Sequence, residues 1–460
     1  MAATKRLNPL DWTFLAAETR ESMMHIGSLM PFSPPKNAAP GLLRQLMDEV
    51  RQDARAYPPW NLKLRYPGLV AHPLQAWVEA DDFDVEYHVR RSALPSPGDE
   101  RELGILVSRL HSNPLDFHRP PWEVHFIEGL EGGRFALYFK VHHALIDGYT
   151  GVRLLSTSLS KDPDDLETPI FFARPPSERK AKTEAPKVAT LETLLGLARE
   201  QVGTTRNITK ALMNVLRPDR SHSKSLIAPM QSPKSVINQK ISRNRRFATQ
   251  QFAVERLKQA AKRHGGTLND IVLALCATSL RRLLIEQDAL PAKPLTAMLP
   301  VNIRPKDDPG GGNAVGSILA SLATDIEDPV ERFQTIIAST RDAKAQLQGM
   351  TKNGIMQYSA LLMAPMLLSQ IPGAVGRVRP AFNLVVSNVP GPDKPLYFRG
   401  FRMDAYYPMS IPFQGYGLNI TVISYLDTLN FGFIGCRDTL AHLQRLAVYS
   451  REALEELESA

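Results

Sequence analysis

The chain has 460 residues, 43% of them hydrophobic and 22% charged, with a formal net charge of +8 and only two cysteines. This is an ordinary globular composition, long enough for two domains. The two thiols, Cys276 and Cys436, sit in apolar segments, which excludes a disulfide framework or a cysteine-rich zinc site and fits a reducing compartment.

The N-terminal "MAATKRLNPLDWTF" has no apolar core ending in a small-residue cleavage site, so no secretory leader is expected. Residues 40–53 carry apolar side chains at helical spacing (Leu42, Leu43, Leu46, Met47, Val50), and residues 99–112 repeat the style. "WEVHFIEGL" and "RFALYFKVHHA" predict two strands joined by a turn at Glu131-Gly132-Gly133, a hairpin. The second strand is apolar almost throughout, which marks it as covered on both faces, inside a sheet. A helix is expected after Gly148. Residues 161–190 turn to Pro, Lys, Glu and Asp and read as a linker, followed by one helix and further basic sequence.

Residues 174–246 hold 16 Lys and Arg against 5 Asp and Glu, an excess of 11, so the remainder is about 3 negative. Such a segment is a solvated connector or a patch for anionic headgroups, where each basic residue adds about 1 kcal/mol. Nucleic acid is disfavoured, because no binding motif or aromatic interleaving accompanies the charge. From Phe247 the α/β alternation resumes. It runs through "FATQQFAVE", "TLNDIVLALCATSLRRLLIEQ" and "LTAMLPVNIR" to a late hairpin in "GLNITVISYLDTLNFGFIGCRD" and a closing helix from Thr439. The apolar stretch 355–376 is broken by Gln357, Pro365, Gln370 and Pro372. A membrane span wants about 20 mostly apolar residues, so a buried or interfacial segment is expected. The domains are set at 1–160, 161–246 (a basic linker with a helix) and 247–460.

The chemistry concentrates in "FKVHHALIDGYTG", residues 139–151. Successive strand residues face opposite sides, so His142 and His143 cannot both enter one cleft. Zinc needs three or four ligands at metal-site spacing. Only His143 and Asp147 stand at i, i+4, while His111, His118 and His125 fall on different predicted elements. A serine triad lacks its G-x-S-x-G. What remains is one histidine acting alone as general base, its ordinary pKa near 6.5 suited to proton removal at neutral pH. One base suffices when the electrophile is a thioester, because the thiolate leaves readily and a hydroxyl can attack directly. Donors for the developing oxyanion are also required, and the motif does not specify them.

H-H-x-x-x-D-G is shared by chloramphenicol acetyltransferase-like enzymes, peptide-synthetase condensation domains and polyketide-associated acyltransferases. With "NPLDFHRPPWEV", "TLNDIVLALCATSLRRLL", "PVNIRP" and "LVVSNVPGP", the chain resembles the bacterial wax ester synthase/diacylglycerol acyltransferases. The resemblance runs from "LNPLDWTFL" to the closing helix. It departs at Pro120-Pro121-Trp122, where the family commonly has Pro-Leu-Trp.

The resemblance implies two acetyltransferase-like α/β domains with the site in a tunnel between them. It implies His143 as general base, with His142, Asp147 and Gly148 architectural. It also implies a pairing of Asp147 with Arg304, whose loss would cost several kcal/mol. Gly148 would allow a tight turn. Asn269-Asp270 matches a family motif tied to activity, yet Thr267 and Asp270 also read as a variant capping box, and both roles stay open. Ser387-Asn388 ends a strand and reads as turn-shaping. The Met-rich stretch 354–373 is core or channel lining.

The implied activity is acyl transfer from acyl-CoA to long-chain fatty alcohols, with diacylglycerol as a second acceptor. No metal or cofactor is implied, nor nucleic acid. A cytoplasmic location is expected, with peripheral contact to the inner membrane or lipid inclusions. Two alternatives are a carrier-protein-dependent condensing enzyme and a non-catalytic lipid-surface protein.

Overall fold

A computed structural model describes residues 4–36, 38, 41–52, 55–175, 227, 231–302, 315–350, 352–371, 373–377 and 379–460. In the first lobe, chain order gives β1 (Thr4–Arg6), β2 (His25–Ser33), β3 (Leu62–Leu64), β4 (Ala76–Glu79), β5 (Val89–Ala93), β6 (Trp122–Glu128) and β7 (Phe135–His142). Its helices are α1 (Pro9–Ala17), α2 (Leu42–Gln52), α3 (Val85–His88), α4 (Glu100–His111) and α5 (Gly148–Thr157). The second lobe contributes β8 (Arg245–Ala253), β9 (Thr296–Asn302), β10 (Val315–Ser321), β11 (Leu384–Val389), β12 (Tyr397–Phe398), β13 (Phe401–Met403), β14 (Tyr407–Met409), β15 (Leu418–Tyr425) and β16 (Thr428–Cys436).

Two larger sheets organise the described residues. The first runs β12-β13-β2-β7-β6-β5, with β14 also pairing β2; the second runs β10-β9-β11-β15-β16-β8. The expected hairpin is β6–β7, antiparallel through a short turn at Glu131–Gly133. Every residue of β7 is buried, as an interior strand requires. Several helices begin where the sequence supplies caps. Asn8 accepts from the Asp11 amide with Pro9 at the first helical position, and Asp99 accepts from the Glu102 amide. Thr267 and Asp270 form a reciprocal capping box on the helix Leu268–Glu286.

The lobes are not successive halves of the chain. β12, β13 and β14, from residues 397–409, complete the first sheet. Phe398, Phe401, Met403 and Tyr406 join its core. Gly432 lets this excursion pass, since a Cβ there would lie 1.8 Å from the Pro408 carbonyl oxygen.

Part of the expected linker also packs. Ile170, Phe171 and Phe172 are buried in the first core, beside Trp122 and Trp60. That polar-looking stretch is anchored because it carries three large apolar residues in succession. The linker helix and most of the basic segment lie outside the described residues. Within that segment Arg245 is buried, donating to the Ser242 and Glu21 carbonyls, so it ties the lobes together.

The closing helix starts at Arg445 rather than Thr439, because His442 takes a left-handed φ of 59° that interrupts helical geometry. The Met-rich stretch forms the helix Lys352–Ser369. Its Ile355, Tyr358 and Leu362 pack into a core with Met298 and Phe382. Among the described residues no helix is long and apolar enough to cross a membrane.

Candidate active site

Strand alternation sorts the tandem histidines. Phe139, Val141 and His143 project from one face of β7 and its extension into a cavity of about 610 Å³. His142 points the other way and is buried. Its Nδ1 accepts the Ala144 amide at 3.1 Å, which places the ring proton on Nε2, 3.5 Å from Glu18 Oε2. Glu18 also accepts the Met24 amide, and the Met24 carbonyl accepts the His143 amide at 2.8 Å. His142 and Glu18 therefore fix the backbone from which His143 projects.

The His143 ring stacks on Phe14 of α1, with centroids 4.0 Å apart and planes 27° apart. Burial pushes its pKa down to about 4; the Asp147 carboxylate acts in the opposite direction, and His142 lowers it. The ring is thus neutral at physiological pH. Its Nδ1 is buried with no partner in hydrogen-bond geometry, while the residue as a whole is half-buried and lines the cavity.

The walls come from both lobes. β2 supplies Ile26 and Ser28, and α5 supplies Gly148, Tyr149 and Val152. From the second lobe come Pro300 and Val301, then Ser387, Asn388 and Val389 of β11, and Thr421 of β15. The cavity lining is mainly apolar, with a small set of polar groups, as small-molecule sites are.

Asp147 caps α5. Its carboxylate accepts the Thr150 amide at 2.9 Å and the Thr150 hydroxyl at 2.8 Å. The expected partner, Arg304, lies outside the described residues. Gly148 has an ordinary backbone conformation, and a Cβ there would meet open space. A left-handed turn is therefore not what Gly148 supplies, and its missing side chain leaves the cavity wall bare.

The Asn269-Asp270 pair divides its roles. Asp270 is buried, closes the capping box and accepts the Thr340 hydroxyl at 2.7 Å. Asn269 instead accepts the Asn388 side-chain amide at 2.8 Å and so holds a cavity residue. Ser387 and Asn388, read as turn-shaping, line the cavity. Trp122 is fully buried and donates to the Trp60 carbonyl at 2.7 Å, away from the cavity. Phe14 and Glu18 went unnoticed in the sequence. Their only signal was their place near "LNPLDWTFL", and no spacing rule ties them to a histidine well over a hundred positions away.

Known proteins share this architecture. Residues 7–272 match the model of the wax ester synthase/diacylglycerol acyltransferase catalytic domain, and residues 311–458 match the C-terminal domain of the same family. A Mycobacterium tuberculosis protein provisionally named a diacylglycerol O-acyltransferase is 52% identical, over 99% of this chain and 97% of its own. The wax ester synthase/diacylglycerol acyltransferase from Marinobacter aquaeolei VT8 superposes with a TM-score of 0.78 at 38% identity, over 99% of both chains. The starter condensation domain of rhizomide synthetase has the same fold, with a TM-score of 0.53 at 13% identity, over 99% of this chain and 94% of that one. With both of its lobes matched and its relatives aligned over almost their full length, the chain belongs to the wax ester synthase/diacylglycerol acyltransferase family.

Proposed function

We propose that the protein is an O-acyltransferase that moves a long-chain acyl group from acyl-CoA to a hydroxyl. A fatty alcohol acceptor yields a wax ester, and diacylglycerol yields triacylglycerol. The observation that carries this reading is a neutral, desolvated imidazole on the wall of an apolar cavity between two lobes.

His143 Nε2 takes the alcohol proton as the oxygen attacks the thioester carbonyl. The C–O bond forms, the oxyanion collapses, and the C–S bond breaks. The imidazolium then returns its proton to the departing CoA thiolate. The ring ends as it began, with no acyl-enzyme and no further co-reactant. A low imidazole pKa suits the second half, because a strongly acidic imidazolium gives up its proton readily.

His142 and Asp147 act as positioning residues for this base, and Asn269 steadies Asn388 on the opposite wall. The family resemblance supports Arg304 as a further partner of Asp147. The basic segment supports peripheral attachment to an anionic lipid surface.

The test is palmitoyl-CoA with hexadecanol or dioleoylglycerol, following thiol release and ester formation together. Ester should form in step with thiol. His143→Ala should lose about 10²–10⁴-fold in turnover with its circular dichroism unchanged. A folded His143→Ala variant that kept most of its activity would remove the base from this mechanism.

A further inference from the structure

A second cavity, of about 970 Å³, opens beyond the first and shares Tyr149, Val152 and Pro390 with it. The two differ in character. Around the outer one stand Arg153, Lys161, Arg174 and Lys394, against the carboxylates Asp165 and Asp393. Asp165 is already engaged, accepting the Glu167 and Thr168 amides at 3.1 and 3.0 Å. Arg174 is held at the rim by donating to the Thr157 carbonyl. Arg153, Lys161 and Lys394 make no ion pair with a carboxylate among the described residues. The outer cavity therefore has cationic capacity to spare, and it shares part of its wall with the apolar cavity that holds His143.

We infer that this outer cavity binds the phosphates of the CoA moiety, so that one acyl-CoA spans both spaces. The molecule has the matching polarity: a fatty chain and thioester at one end, a linear pantetheine arm, and a pyrophosphate with a 3′-phosphate at the other. The inner cavity takes the chain and presents the thioester to His143. Tyr149, 59% exposed at the shared boundary, stands beside the arm. Arg153, Lys161 and Lys394 meet the phosphates, as guanidinium and ammonium groups do. This assignment rests on acyl-CoA being the donor. It adds where the nucleotide end lies and which residues recognise it.

The test compares the wild type with Arg153→Ala/Lys394→Ala on three probes. Binding of free CoA by calorimetry should weaken about ten-fold or more, equivalent to about 1.4 kcal/mol. kcat/KM for palmitoyl-CoA should fall by a similar factor through KM, with kcat and the KM for hexadecanol unchanged. Palmitoyl-N-acetylcysteamine, a thioester without phosphates, should be used equally well by both proteins. Unchanged CoA binding in the double variant would overturn the assignment, as would an equal loss with both thioesters. So would a loss of binding to phosphatidylglycerol vesicles with CoA binding intact, since the cations would then serve a lipid surface. Failure of the acyl-transfer reading itself looks different: CoA binds and depends on these residues, but no ester forms with any thioester.

Discussion

Removing the Phe14 ring should move the acid limb of catalysis. Phe14 covers one face of His143 at 4.0 Å, and burial is the largest cause of the ring's low pKa. The gap between about 4 and the ordinary 6.5 is worth roughly 3 kcal/mol against the charged imidazole. Phe14→Ala lets water reach that face. If the covered face supplies a little under half of the penalty, the limb should rise by about one pH unit, to about 5. Catalysis needs the neutral ring. The wild type should therefore hold its kcat/KM down to about pH 5, whereas the variant should lose about half of its own there. Phe14→Leu keeps apolar cover and should leave the limb near the wild-type position. The assay is ester formation by gas chromatography from pH 4 to 8, with circular dichroism at each pH to exclude unfolding. An NMR titration of the His143 ring reads the same pKa without turnover. A limb that stayed put in a folded Phe14→Ala protein would refute the idea that this stack keeps the base neutral.

Two further outcomes follow from the same geometry. Asp147→Ala removes a helix cap and should cost about 1 kcal/mol, or roughly 1 °C in Tm for a chain of 460 residues. A loss of several kcal/mol in a thermal melt would instead reveal a buried ion pair such as the one expected with Arg304. The fold should also weaken in mild acid. His25, His88, His111 and His125 are all held below the ordinary imidazole value by burial, His88 at about 4. The unfolded chain therefore binds more protons between pH 6.5 and 4, and stability is full above that window and lost as pH falls through it. His88 alone accounts for about 2 kcal/mol by pH 5. Urea midpoints that stayed level between pH 7 and 5 would show that these rings are not buried in the neutral form.

Much of the site was legible because it is local. The β6–β7 hairpin, the interior strand and the opposite facing of His142 and His143 all follow from period-two alternation, which persists one residue past the strand's end. The Thr267–Asp270 box was legible too, since capping is decided within one turn. What stayed hidden was long-range. Nothing near Phe14 indicates that it stacks on His143, or near Asn269 that it grips Asn388 across the fold. The strands β12, β13 and β14 are two or three residues long, too short to show any alternation, yet they complete the first sheet.

That last point bears on how the site comes to exist. β2 is nine residues long, with β7 on one edge and β13 and β14 on the other. Before residues 397–409 arrive, the outer edge is a row of open amides and carbonyls, and Phe32 and Met30 lack part of their cover. The same excursion brings Tyr406, Pro408 and Met409 to the cavity, whose opposite wall is Ser387–Val389 of the second sheet. Closing the sheet and forming the cavity are therefore a single event. The histidine motif can be written within a few residues of the first lobe, but the desolvation that keeps its base neutral also draws on α1. The space for a fatty chain requires a segment more than 250 positions further along. A fragment ending after α5 would retain the HHxxxDG residues while lacking both the covering strands and the facing wall. The acyl-transfer chemistry proposed for His143 thus belongs to the joined lobes and not to the motif.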